Sequence, residues 1–159
     1  MSNPTRPQPL ALSFDRDEWE LLVTLPRRVL LAAASAEPAE GRDAAEGIAG
    51  IEAIASGLAS RSALVKEVVA SIYSESHQEP ADLLGDEGVL QTLAACRYAS
   101  EVLATRCSAE DAEAYRMWLR HIAAVVTGVA QGVAGTSSTG RIGLAESRFL
   151  YALGGVLRP

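Results

Sequence analysis

The segment 108–135 carries a strong helical pattern, and it limits what the chain can fold into more than any other feature. Its apolar side chains recur every three or four residues and so share one side of a helix: Tyr115, Trp118, Leu119, Ile122, Val125, Val126, Val129 and Val133. An opposite row is polar except for one alanine: Glu113, Arg116, Arg120, Ala124, Thr127 and Gln131. We expect an amphipathic helix over 109–134, capped by Ser108, at the centre of the fold.

Two glycines, Gly128 and Gly132, fall in the second half of this predicted helix, four residues apart and therefore on one side. Glycine inside a helix costs about 1 kcal/mol relative to alanine. Close approach of another helix backbone would compensate for that cost, so we predict such a contact. The expected partner is either the glycine-rich helix that follows Asp43 or the last helix near Gly154 and Gly155.

The rest of the chain repeats the helical pattern, and no stretch alternates apolar and polar residues as a half-buried strand does. Hydrophobic residues make up 48% of the chain and aromatic residues only 5%, which suits closely packed helices. A chain of 159 residues has the size of one domain. We predict an all-α, single-domain bundle of six or seven helices over 13–159, preceded by a disordered proline-rich tail over 1–12.

Two helix boundaries are ambiguous in the sequence. Pro26 either ends the first helix or opens the second at its first position, because proline disrupts a helix interior. Between 44 and 76 the apolar residues keep the same helical spacing throughout, so this segment is one long helix or two helices nearly in line. We favour two, since average helices run about 11–12 residues. The predicted buried face of the first of the two consists of Ile48, Ile51, Ala55 and Leu58.

The charge balance argues against two classes of partner. The net charge is −6 and the pI is near 4.9, with no basic run, which disfavours a nucleic-acid backbone and an anionic membrane surface. The apolar run over 122–134 is too short for a membrane span, which needs about 20 residues. No signal-peptide pattern is present, and two cysteines are too few for a disulfide framework. We therefore expect a cytoplasmic protein that binds neither nucleic acid nor membrane.

Several short phrases resemble a known group of proteins. They are WELL at 19–22 with Pro26 and Val29 after it, LVKEV at 64–68, YRMWL at 115–119 and GLAE at 143–146. Together they resemble a group of uncharacterised bacterial all-helical proteins and, more distantly, the tellurite-resistance TerB-like helical domain. This resemblance implies a helical bundle and a bacterial origin. It also implies an acidic loop rich in Asp and Gly after the early helix, but this chain has AEPAEGRD at 36–43, without an Asp-x-Asp pair.

The loop over 36–43 is the candidate metal site. The carboxylates of Glu37, Glu40 and Asp43, with that of Glu46, could bind a hard cation such as Ca²⁺ through their oxygens. The alternative is that Asp43 and Glu46 cap the next helix while Glu37 and Glu40 face solvent. No calcium-loop spacing is present.

Single residues offer further candidates. His121 lies beside the apolar row and could act as a base or ligand if Glu101 reached it from the preceding helix, although a histidine there is more often a packed residue. Cys96 and Cys107 have no Cys-x-x-Cys spacing and no histidine nearby in the sequence, so we predict no redox or nucleophilic role for them.

The aromatic and basic side chains are interpreted structurally. Trp19 and Trp118 are predicted to anchor the core or an interface, because the chain has few other aromatic residues. Arg116 and Arg120, like the arginines of the second helix, are predicted to lie on solvated helix faces.

Three classes of function stay open. The leading hypothesis is a non-enzymatic helical module for protein–protein interaction, with a homo-oligomer as one form, because apolar helix faces are abundant. The second is a small-molecule binder with a pocket between helices. The third is a metal-binding, TerB-like stress protein or a metal-assisted enzyme. We assign no catalytic residue and no cofactor. The ligand or interface candidates are His121, Trp118, Trp19, Gly128 and Gly132.

Overall fold

The structure is a computed structural model that describes residues 9–35, 44–74, 86–128 and 144–159. These residues form helices, and none of them belongs to a strand. The six α-helices are α1 (Arg16–Ser35), α2 (Ala44–Ala55), α3 (Ala63–Ser74), α4 (Asp86–Arg106), α5 (Ala109–Val126) and α6 (Leu144–Val156). Two short 3-10 helices, Leu10–Ser13 and Ser56–Ala59, precede α1 and α3. The predicted all-α bundle is confirmed.

Helix α5 lies at the centre and contacts α1, α2, α3, α4 and α6. Its start is as predicted, because the Oγ of Ser108 accepts a hydrogen bond from the Asp111 amide at 3.2 Å. The predicted apolar row is buried over Tyr115–Val126 except for the half-buried Val125. The buried surface also includes a second row, Ala112, Arg116 and Ala123. A helix surrounded by five others buries more than one stripe.

Helix α1 runs without a break through Pro26, so the prediction that this proline ends or opens a helix is wrong. A proline has no N–H to donate to the carbonyl four residues back, which here is that of Leu22. The hydroxyl of Tyr115 on α5 donates to that carbonyl instead, at 2.8 Å. A tertiary hydrogen bond therefore replaces the one that the proline removes.

The segment after 44 forms two helices, α2 and α3, joined by the 3-10 helix Ser56–Ala59, as favoured from the sequence. The predicted buried face of α2 is wrong. The residues that face the core are Gly50, Ala53, Ile54 and Gly57, whereas Ile48, Ile51 and Leu58 are exposed and Ala55 is half-buried.

Two glycines on the core-facing side of α2 and the following 3-10 helix lie very close to their neighbours. A Cβ at Gly50 would lie 2.7 Å from Cδ1 of Leu30, and one at Gly57 would lie 2.7 Å from Cγ2 of Val69 and 2.9 Å from Cε2 of Trp118. These contacts set how closely α2 and the 3-10 helix after it approach the core.

The second half of the predicted long helix differs from expectation. Helix α5 ends at Val126, and Gly128 follows it in the left-handed conformation, with φ +75°. Gly128 is exposed, and a Cβ there would meet no atom within 4 Å, so its predicted packing against a helix backbone is wrong. Its role is that of the glycine that follows a helix end. Gly132 lies outside the described residues.

The predicted disordered tail is wrong for its last residues. Residues 10–12 belong to the first 3-10 helix, whose Leu10 and Ala11 amides donate to the Glu67 carboxylate on α3 at 3.1 and 3.2 Å. Residues 1–8 lie outside the described part of the chain. Among the helices that are described, none combines the length and the apolar character that crossing a membrane would take.

Candidate functional site

The two tryptophans occupy different positions. Trp118 is buried on α5, where its indole N–H donates to the Ala53 carbonyl of α2 at 3.2 Å and its ring meets that of Tyr115 edge-on. Trp19 is half-buried at the start of α1, with its ring centroid 5.7 Å from that of Phe14. Trp118 therefore anchors the core between α5 and α2, and Trp19 packs at the edge of the bundle.

His121 and Glu101, the predicted acid–base pair, are both exposed, on α5 and α4 respectively, and no hydrogen bond joins them. Within the described ranges, no group of three or more His, Cys, Asp and Glu side chains is placed to hold a metal ion. The candidate ligands Glu37, Glu40 and Asp43 lie outside the described residues.

The cysteines are poor nucleophiles in this setting. Cys96 is buried on α4, and burial raises the pKa of its thiol to about 12. Cys107 is half-buried after the end of α4, and burial, with the nearby Asp111 carboxylate, raises its pKa to about 11. Reactive cysteines have lowered pKa values, because the thiolate is the nucleophile. The geometry therefore agrees with the structural interpretation of both residues.

Two arginines contradict the prediction that they lie on solvated faces. Arg116 is only 4% exposed, and its guanidinium contacts the Ser100 hydroxyl at 3.5 Å and the Ser100 carbonyl at 3.4 Å, with the Glu113 carboxylate 3.8 Å away. Arg120 is half-buried and donates to the Leu157 carbonyl at 3.0 Å. The small residues Ala112 and Ala123 beside them were a signal that a second helix packs on this side.

The largest departure from the predicted core is the outward row of α2 and the 3-10 helix after it. Ile48, Ile51 and Leu58 are 57%, 58% and 54% exposed. Ile48 and Ile51 lie on one side of α2 and Leu58 lies on the 3-10 helix that follows it; we call these three residues the α2 stripe. A single exposed aliphatic side chain needs no explanation, but several on one face mark a contact surface.

Among the residues that the structure describes, two grooves that are open to solvent are of interest. One, of about 430 Å³, lies between α5 and α6 and has two arginines and no acidic residue among the described residues that line it: Arg120, Leu150, Tyr151, Gly154, Gly155 and Arg158. The other, of about 220 Å³, lies along α1, and its lining includes the cation of Arg28 and the carboxylates of Asp17 and Glu20. The first groove has a net positive lining, whereas the charges of the second oppose each other.

Comparison of the chain with known protein families, with curated proteins and with solved structures gives no match. The resemblance to the TerB-like domain stays a prediction, and the function must be argued from the surfaces of this fold.

Proposed function

We propose that this chain is a non-enzymatic, bacterial cytosolic module that associates with a second copy of itself through the α2 stripe. The observation that carries the proposal is the inverted arrangement of α2 and the following 3-10 helix. Gly50, Ala53, Ile54 and Gly57 face the core, so Ile54 is the one large residue on the inner side, while Ile48, Ile51 and Leu58 face outward. A helix with no partner on its outer side is expected to carry polar residues there.

Burial of the stripe would be favourable. Each Å² of apolar surface removed from water contributes about 25 cal/mol. More than half of each of Ile48, Ile51 and Leu58 is accessible in the monomer. These three side chains would form the apolar centre of an interface, and polar neighbours would complete the roughly 800 Å² per partner that a stable dimer buries.

A second copy is the partner that fits this surface best. The three side chains of the stripe are aliphatic, with the exposed Glu52 at its edge one turn from Ile48, and an apolar row can be complementary to itself across a two-fold axis. Ile51 lies inside the row, so in a symmetric pair the two copies of this residue would lie close to the axis.

The experiment is light scattering after size exclusion, over a wide range of protein concentration, on the natural chain and on Ile51→Glu. We expect a dimer that the substitution converts to monomer, with the dimer Kd raised by at least about 100-fold, because the interface would bury two unpaired carboxylates. The fold should survive, since Ile51 is exposed in the monomer.

The matched control is Leu90→Glu. Leu90 is 67% exposed on α4, away from the stripe, and its substitution makes the same change in charge. It should leave the dimer intact. A natural chain that is monomeric at every concentration, or a Leu90→Glu variant that dissociates as readily as Ile51→Glu, would overturn the proposal.

A further inference from the structure

We propose that the groove between α5 and α6 binds a small organic anion, a carboxylate or phosphate monoester with a flat apolar body. The groove lies on other helices than the α2 stripe, so this inference stands apart from self-association. Its volume of about 430 Å³ falls within the range of small-molecule sites.

The two glycines of the groove are the first observation. Gly154 and Gly155 lie in α6, where each lowers helix stability relative to alanine. A Cβ at either position would meet no atom within 4 Å, so close packing of a neighbouring helix does not explain them. Their effect is to leave volume open along α6, with the backbone accessible at the floor of the groove.

Charge is the second observation. Arg120 and Arg158 both line the groove, in a chain whose net charge is −6. The Arg120 guanidinium is held in place by donation to the Leu157 carbonyl at 3.0 Å, which also offsets the negative end of the α6 dipole. Its Nε–H is shielded from solvent and has no hydrogen-bond partner among the described residues. Two guanidinium groups on the lining of one groove favour an anion, and the planar fork suits carboxylate and phosphate oxygens.

The apolar wall is the third observation. Tyr151 is 84% exposed, and the half-buried Leu150 lies next to it along the groove. An exposed aromatic ring beside a cationic site suits a ligand that carries both an anionic group and a flat apolar part.

The experiment is titration calorimetry with phenyl phosphate, benzoate and inorganic phosphate as probes. We expect phenyl phosphate or benzoate to bind, and inorganic phosphate to bind at least tenfold more weakly than phenyl phosphate. The difference between the two aromatic probes identifies which anionic group the arginines prefer. Equal affinity for phenyl phosphate and inorganic phosphate would contradict the role of the apolar wall.

Two variants locate the site. Gly155→Leu should fill the groove and reduce binding at least tenfold while the thermal midpoint stays the same or rises, because the space above Gly155 is open. Arg158→Gln should weaken binding by a similar factor, since Arg158 is exposed and its removal leaves the core intact. The control is Arg61→Gln, which removes an exposed arginine outside the groove and should bind as the natural chain does. Absence of binding by every probe, or unchanged binding by Gly155→Leu, would overturn the proposal.

Discussion

Buried polar groups of α5 connect this helix to its neighbours. Tyr115 and Trp118 each bring a polar atom into the core, and each finds a backbone carbonyl, on α1 and α2 respectively. A buried polar group without a partner costs about 1–3 kcal/mol, so these hydrogen bonds specify which helix lies where. Burial raises the pKa of Tyr115 well above its ordinary value, so its hydroxyl stays protonated and able to donate to Leu22.

Removal of that hydroxyl should show how Pro26 is accommodated. Tyr115→Phe leaves the Leu22 carbonyl buried without a donor, and we expect it to lower the free energy of unfolding by about 1–3 kcal/mol. In a Pro26→Ala background the new backbone N–H at position 26 can donate to that carbonyl, so the same substitution should have a much smaller effect. Urea unfolding of the four proteins forms a double-mutant cycle. Equal losses in the two backgrounds would mean that the hydroxyl does not replace the missing helix bond.

At the scale of the helix, glycines have opposite meanings in α2 and α6. In α2 and its 3-10 extension they admit a neighbour, since Gly57 lies against Val69 and Trp118. In α6 they face open space, as Gly154 shows. The same residue type at a similar position in a helix thus gives close packing in one place and an open groove in the other.

Alanine substitution should separate these two cases. Gly57→Ala would place a methyl group 2.7 Å from Val69 and 2.9 Å from the rigid Trp118 ring, and overpacking of this kind costs about 1–3 kcal/mol. Gly154→Ala, the matched control, should be neutral or stabilising by up to about 1 kcal/mol, because alanine is the better helix former and space is open. Thermal melts of both variants are sufficient. A stabilised Gly57→Ala protein would show that Val69 and Trp118 can move aside at little energetic cost.

At the scale of the whole molecule, a surface cluster joins the start of α1 to the end of α4. The Arg106 guanidinium lies 3.2 Å from the Asp15 carboxylate and 3.1 Å from that of Glu18. Glu18 also accepts a hydrogen bond from the Asp15 amide at 2.9 Å, across the start of α1. That backbone hydrogen bond, followed by the Arg106 charge, holds the pKa of Glu18 below its ordinary value of 4.5.

Stability should therefore depend on pH through Glu18. A carboxyl group with a lowered pKa stabilises the folded state above its unfolded-state pKa, and this contribution is lost as pH falls through the folded-state value. We expect Glu18→Gln to be less stable than the natural chain at neutral pH and to approach it in acid, below pH 4.5. Urea midpoints measured across this range test the expectation. Glu101→Gln, a substitution of an exposed residue on α4, serves as the control. If the plot of urea midpoint against pH for Glu18→Gln ran parallel to that of the natural chain, the proposed role of Glu18 would be contradicted.

The sequence by itself determined which segments are helical and where several of them begin. The cap at Ser108 and the buried row from Tyr115 to Val126 follow from local patterns, because caps and periodicity depend on residues close together in the chain. The lack of any stretch that alternates apolar and polar residues, as a strand does, is also a local property, and it predicted the all-α class. For the candidate site, the sequence showed which residues have suitable chemistry, but it did not show which of them lie close together in the fold.

The tertiary structure decided what each helix faces. Pro26 stays inside α1 because Tyr115, far away in the sequence, supplies a hydrogen bond. Ile48, Ile51 and Leu58 point outward, because the opposite side, which carries Gly50, Gly57 and the buried Ile54, lies against Leu30 and Trp118. Arg116 is buried because α5 has neighbours on nearly every side. Periodicity shows that a helix has two faces, but which face lies inward depends on the shape and spacing of neighbours that the local sequence does not contain.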